Sequence, residues 1–295
     1  MRKRVYLVVA VVALALVAQS LFASLQGAQQ PAFNGQRALA DIEYQLALGP
    51  RTPGSAAHAN TVEWMLRSLR AAGWAAEVQD TEWLGQPVRN VIAKRGAGEP
   101  WLILGAHYDS RLSADFDPDP AAHAHPVPGA NDGASGVAVL LELARVLPPD
   151  LPGQIWLVFF DAEDNGRIAG WDWIMGSRAF AQSLSEHPDA VIILDMIGDT
   201  DLQVYYEANS DESLRAEIWD TAAELGYADL FIPSVRHSML DDHTPFIELG
   251  IPSVLLIDFD YPYWHTRQDT LDKVSAHSLQ AVGDTMLAWL LGRTD

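Results

Sequence analysis

Several acids and two imidazoles stand where apolar runs of the chain stop. Trp156–Phe160 runs into Glu163 and Asp164, Trp101–Ala106 into His107, and Ala190–Leu194 into Asp195, while His265 follows the run Ser253–Ile257 by one loop. Asp132 and Asp241 open segments with helical patterning. A short, continuously apolar run bounded by polar residues reads as a strand buried on both faces, so these groups fall at carboxyl ends of strands, where open α/β sheets bind ligands. Carboxylates and imidazoles without thiolates suit zinc in a catalytic role, with one coordination position open to substrate or water. Glu163 and Asp164 are neighbours whose side chains diverge, so one can hold a metal while the other moves protons.

Other residues compete for these roles. Asp109 is placed to orient His107, Asp132 could cap the helix it opens, and His243 could cap the short helix after Asp241. His123 and His125 have a metal-like spacing, but in an Ala/Pro loop they read as surface histidines. Trp171, Trp173, Phe259, Tyr261, Tyr263 and Trp264 lie in loops beside the acids, and their expected role is the apolar wall of a substrate pocket.

The elements that must position these groups follow from periodicity. Amphipathic helices are predicted over Ala38–Leu48 and Thr61–Ala72, and strands over Ala75–Val78, Val88–Ala93 and Trp101–Ala106. The Asp/Pro/Ala/His-rich stretch 112–129 is too long for a plain connector and reads as a functional rim. A strong helix then runs to Leu147, followed by the central strand, a helix over Ser177–Leu184 and the strand Ala190–Leu194. Leu202–Tyr206 alternates like an edge strand. A helix over Glu212–Leu225, the strand Ser253–Ile257 and a helix over Ser278–Leu291 complete the chain. Strand and helix alternate without an internal repeat, which predicts one α/β domain over residues 31–295: a doubly wound, mostly parallel sheet with helices on both faces.

Composition limits the partners. With 19 Lys+Arg against 39 Asp+Glu the net charge is −20, which repels phosphate backbones and argues against nucleic acid. The absence of cysteine excludes disulfides, thiolate metal sites and cysteine nucleophiles. Arg2-Lys3-Arg4 followed by the apolar stretch Val5–Ala18 has the form of an export signal. Residues 1–30 are therefore expected to be a signal peptide or an uncleaved anchor, the only route to a membrane, and the protein is expected to be exported.

The motifs His107-Tyr108-Asp109-Ser110, Gly129-Ala130-Asn131-Asp132-Gly133, Phe160-Asp161-Ala162-Glu163-Asp164, Gly176-Ser177-Arg178, Leu194-Asp195-Met196-Ile197-Gly198, Asp241-Asp242-His243 and Trp264-His265-Thr266 resemble, in order, the signature series of the zinc aminopeptidase and glutaminyl cyclase superfamily. The resemblance implies one of two chemistries on peptides with a free N-terminus. In a two-zinc aminopeptidase, His107, Asp132, Asp164, Asp195 and His265 would hold two metals and Glu163 would activate water. In a glutaminyl cyclase, Asp132, Asp164 and His265 would hold one zinc, Glu163 would shuttle a proton, and Asp195 and Asp241 would form a supporting acid network. The doubled acid Asp241-Asp242, Trp264 before His265, and Asp rather than Glu at 164 resemble the bacterial cyclases more closely. Leu240, where animal cyclases carry a polar residue, departs from that pattern.

Overall fold

The computed structural model describes residues 32–294, and the leader read at residues 1–30 lies outside them. Helices α1 (Gly35–Leu48) and α2 (Ala56–Ala71) are followed by a hairpin of β1 (Ala75–Trp83) and β2 (Gln86–Ala97), then β3 (Trp101–His107), α3 (Ala134–Val146), β4 (Gly153–Phe160), α4 (Met175–Ser183) and β5 (Ala190–Asp195). The chain continues with β6 (Val204–Glu207), α5 (Glu212–Glu224), β7 (Phe231–His237), α6 (Thr244–Glu248), β8 (Ser253–Ile257) and α7 (Ala276–Thr294).

Six strands form the central sheet in the order β1-β2-β4-β3-β5-β8. β4, β3, β5 and β8 pair in parallel, and β2 runs antiparallel to both its neighbours. The apolar runs are continuous because both faces are covered. Alternate side chains point into opposite cores: Leu102, Leu104, Leu157, Phe159, Ile192 and Leu194 into one, and Ile103, Val158, Phe160, Val191 and Ile193 into the other. Residues of α1, α2, α3, α5 and α7 fill the first core, while Phe180 of α4 and Phe246 of α6 close the second. Each large apolar side chain so buried stabilises the fold by about 1.5–3 kcal/mol relative to exposure.

Chain order explains where the site lies. From β3 the chain passes through α3 to β4 on one side, then through α4 to β5 on the other. The strand order reverses around β3, and the crevice at such a switch point opens at the carboxyl ends of the strands.

α3 approaches the sheet closely at that point. A Cβ on its Gly136 would lie 2.3 Å from the Leu194 carbonyl oxygen and 2.7 Å from the Ala106 Cβ. Neither the backbone nor a packed methyl group can yield without moving β5 or β3. Gly136→Ala is therefore expected to destabilise the protein by about 1–3 kcal/mol, despite the better helix propensity of alanine; urea unfolding measures this.

The first described residues are held by the last helix. The buried Phe33 ring fits over Gly283, where a Cβ would lie 2.4 Å from three ring atoms. Gln280 fixes the backbone beside it, donating to the Phe33 carbonyl at 3.0 Å and accepting from the Gly35 N–H at 2.8 Å.

One expectation needs correction, and one strand was not anticipated. The stretch read as an edge strand near Leu202 does not join the central sheet; β6 pairs in parallel with β7 in a separate two-stranded sheet. β7 itself carries no strand signature, since Pro233 interrupts Phe231–His237 and most of its residues are exposed.

Candidate metal and catalytic centre

Each chemically active side chain is delivered by the end of a core element. His107 is the last residue of β3 and Asp195 the last of β5. Glu163 and Asp164 follow β4 after Ala162, which has φ 52°. Met196 (φ 46°) and His265 (φ 55°) are also held in the left-handed region. Such strain in non-glycine residues costs of order 1 kcal/mol or more each and concentrates at functional sites.

The groups converge. His107 Nε2 lies 3.1 Å from Asp132 Oδ1 and 3.1 Å from Asp195 Oδ1. His265 Nε2 lies 2.6 Å from Asp164 Oδ1 and 3.8 Å from Asp132 Oδ2. Two donor sets result, His107–Asp132–Asp195 and Asp132–Asp164–His265, each with ligand atoms within 4.8 Å of one another and with Asp132 common to both. All these residues are buried, yet Asp132 Oδ2 and Asp164 Oδ2 have no hydrogen-bond partner. A buried, unpaired carboxylate oxygen is costly. A cation among these oxygens and imidazole nitrogens removes that cost, and the oxygen–nitrogen donor set fits zinc.

The surroundings fix this geometry through Asp109, singled out in the sequence, and through Asp269 and Arg51, which carry no obvious sequence signal. Asp109 accepts from the backbone N–H of Glu163 (3.1 Å) and Asp164 (3.4 Å) and from the Asn165 amide (3.1 Å). It also faces His107 Nδ1 at 3.5 Å, the orienting position expected of it. Asp269 accepts from the N–H groups of Asn131 (2.8 Å) and Asp132 (3.1 Å) and from the Tyr261 hydroxyl (2.7 Å). Arg51, fully buried, donates to the carbonyls of Tyr108 (2.9 Å), Pro128 (3.1 Å) and Gly129 (2.6 Å), joining the His107 and Asp132 loops. Its loop reads in sequence as turn chemistry alone.

The helix-cap readings do not hold. Gly133, not Asp132, occupies the N-cap of α3, and Asp132 turns its carboxylate to His107 instead. His243 sits at the N-cap of α6 but makes no capping bond; its Nε2 lies 3.2 Å from Glu207 Oε2. Glu207 also accepts from the N–H groups of Asn209, Ser210 and Met239 at 2.8–2.9 Å, tying β6 to the loop that carries Asp241. Burial pushes the Glu207 carboxyl up, but His243 and the backbone donors outweigh it and hold it at about 2, below its ordinary 4.5. A depressed carboxyl contributes stability above its unfolded value and loses it as pH falls. Wild type is therefore expected to lose more stability between pH 4.5 and pH 2 than Glu207→Gln does, as read by thermal unfolding across that range.

The acids around the centre are crowded. Burial, and then the charges of Asp164, Asp241 and Asp242, push the Glu163 carboxyl well above its usual range, although His107 opposes this. Burial followed by the charge of Asp195 raises Asp241 to about 7, and burial followed by Asp241 raises Asp242 well above normal. Asp164 is raised to about 6, by burial first and Asp132 second. For Asp132, burial is outweighed by the hydrogen bond and charge of His107, with further help from His265 and Arg111, and its carboxyl lies below normal.

A cleft of about 270 Å³ opens onto these groups, with Glu163, Asp164, Asp195 and Asp241 in its floor. Trp173 and Trp264 form walls, as expected; Trp173 stacks on the His265 ring at 6.0 Å and Trp264 at 3.7 Å. Trp171 and Tyr263 do not line it. Trp171 packs on the small cluster Val88–Ala162–Met175, and Tyr263 lies against Tyr261 and under the Lys273 ammonium. Phe259 takes the wall position expected of it, Tyr261 does not, and Phe116 joins the wall. His123 Nε2 donates to the Asp117 carbonyl, 2.8 Å away, and takes no part in the centre.

Residues 90–290 match the family model of peptidase family M28. The chain belongs to this family. It is 34% identical to Porphyromonas gingivalis glutaminyl cyclase, with a TM-score of 0.82 over 88% of this chain and 98% of that one. A leucine aminopeptidase precursor from Bacteroides thetaiotaomicron is 30% identical, with a TM-score of 0.83 over 88% of this chain and 98% of the other. Among sequences, the glutaminyl-peptide cyclotransferase of Gloydius blomhoffii is 28% identical over 286 residues, covering 79% of this chain and 74% of that enzyme. The M28 chain described here thus resembles members with either of two chemistries on peptide N-termini.

Proposed function

We propose that this chain is a zinc-dependent glutaminyl-peptide cyclotransferase, which converts an N-terminal glutamine to pyroglutamate with release of ammonia. The observation that carries this reading is the buried acid cluster of Glu163, Asp195, Asp241 and Asp242 beside the Asp132–Asp164–His265 donor set. Burial and crowding, which raise the Glu163 and Asp241 carboxyls, suit groups that accept and return one proton within a closed site. The likeness to the Porphyromonas gingivalis cyclase supports the same assignment.

In this reading Asp132, Asp164 and His265 would hold one zinc, which would supply Lewis acidity at the glutamine side-chain carbonyl. Trp173 and Trp264 enclose the glutamine side chain and exclude water. The α-amine attacks the side-chain carbonyl carbon, forming the ring C–N bond. Glu163 takes the proton released by the amine and delivers it to the side-chain nitrogen, whose bond to carbon breaks to release ammonia. Asp195 and Asp241 form the supporting acid network beside Glu163, and the Asp241 charge helps to raise its carboxyl. The leader at residues 1–30 makes export, by secretion or on an N-terminal anchor, part of the same proposal.

One observation favours a second reading. His107, Asp132 and Asp195 form a second donor set at metal-binding separations, as a two-zinc aminopeptidase requires. Metal content and product separate the two. One zinc per chain and ammonia from a Gln-initiated peptide are expected. Two zincs with free amino acid released from an aminoacyl amide would instead establish the aminopeptidase.

A further inference from the structure

The floor of the cleft is acidic, but its lining includes two arginines, Arg111 and Arg167. They are not equivalent. Arg111 is committed: its guanidinium forms two 2.7 Å bonds to Asp115, donates to the carbonyls of Asp164 (2.8 Å) and Gly166 (3.2 Å), and lies over the Trp173 ring at 5.0 Å. Arg167 is exposed and has no ion-pair partner among the described residues.

Its backbone is also unusual. Arg167 has φ 63°, a conformation that glycine adopts freely and arginine does not. The loop around it is held from both sides: the Leu112 N–H donates to the Asn165 side-chain oxygen at 2.9 Å, Asn165 reaches Asp109, and the Ile168 N–H donates to the Asn165 carbonyl at 3.3 Å. A strained residue fixed by its surroundings, lining the cleft and carrying a free charge, is a candidate for contact with substrate.

We propose that Arg167 is a specificity-determining residue that selects substrates with a carboxylate side chain just after the N-terminal glutamine. The inference rests on the cyclotransferase reading. An N-terminal glutamine in the acid-lined floor directs the following residues outward to the rim. There Arg167 is the lining cation not already neutralised, so an acidic residue gains a partner and a basic one meets a like charge.

The test is a peptide series differing only at the second and third residues, with Glu, Gln or Lys at each, assayed for ammonia release in low-salt buffer. The expected preference for Glu over Gln in kcat/KM is about threefold, the size of a solvent-exposed ion pair. It should reside in KM and shrink in high salt, because exposed charges are screened. Arg167→Lys should retain the preference and Arg167→Glu should reverse it toward Lys. Arg167→Gly, which adopts the local backbone without strain, should abolish it without unfolding the loop. Cyclisation that is indifferent to peptide charge, or an unchanged preference in Arg167→Glu, overturns the inference and leaves the cyclotransferase reading intact. Failure to release ammonia from any peptide of the series overturns the reading of function, and the inference with it.

Discussion

With Glu163 replaced by Gln, ammonia release from a Gln-initiated peptide is expected to fall by about 10³-fold while zinc content stays at the wild-type value; a positioned acid–base group contributes roughly 10²–10⁴. Glutamine keeps the shape and hydrogen-bonding reach of the side chain but cannot take a proton from the attacking amine. Nothing in the donor geometry calls on Glu163: the two sets of converging ligands are complete without it. Its backbone is fixed independently, by Asp109 and by the strained Ala162 before it, so the substitution should leave Asp164 in place. Steady-state kinetics and metal analysis on the same preparation decide the matter. Loss of zinc together with activity would reassign Glu163 to the metal, and unimpaired turnover would remove it from the chemistry.

Asp164→Ala should have the opposite signature. Zinc affinity is expected to drop by more than about 100-fold, since loss of a group that merely supports a ligand already costs 10–100-fold. Activity should vanish with the metal. Stability provides a second readout. Without a cation, the Asp164 carboxyl has a value of about 6 against an ordinary 3.8, because it is buried beside Asp132. A raised folded-state value means that ionisation opposes folding, so the metal-free protein should gain stability as pH falls from about 6 toward 3.8. Metal-free Asp164→Ala lacks that penalty and should melt no lower than metal-free wild type at neutral pH. Zinc should raise the melting temperature of wild type and not of the variant, because only a protein that binds the metal gains from mass action. A variant that still binds zinc at wild-type affinity would exclude Asp164 from the ligand set.

The sheet was legible because its central strands are buried on both faces, which writes them as unbroken apolar runs ending in the functional groups. The peripheral strands were harder. β1 extends to Trp83 through Gln79–Glu82, polar residues that carry no core pattern and are held by cross-strand pairing and by a turn at Leu84 and Gly85, both with positive φ. Of the candidate site, the acids and imidazoles that the structure brings together were legible from their type and from their place at strand ends, a helix start or a loop beyond a strand. The residues that hold them were not. Arg51 acts through backbone carbonyls, and Asp269 through backbone N–H groups, and such contacts leave no trace in local sequence. Trp171 and Tyr263 were misassigned for a related reason: proximity in a loop does not say which way a ring turns.

The Phe33 anchor decides which element holds the start of the first helix. Because the ring seats on α7 and Gln280 clasps the backbone on either side of Asn34, the start of α1 is fastened to the last helix rather than to the sheet. Loss of that clasp would free the start of α1 from α7 and expose the core side chains that the two helices cover together.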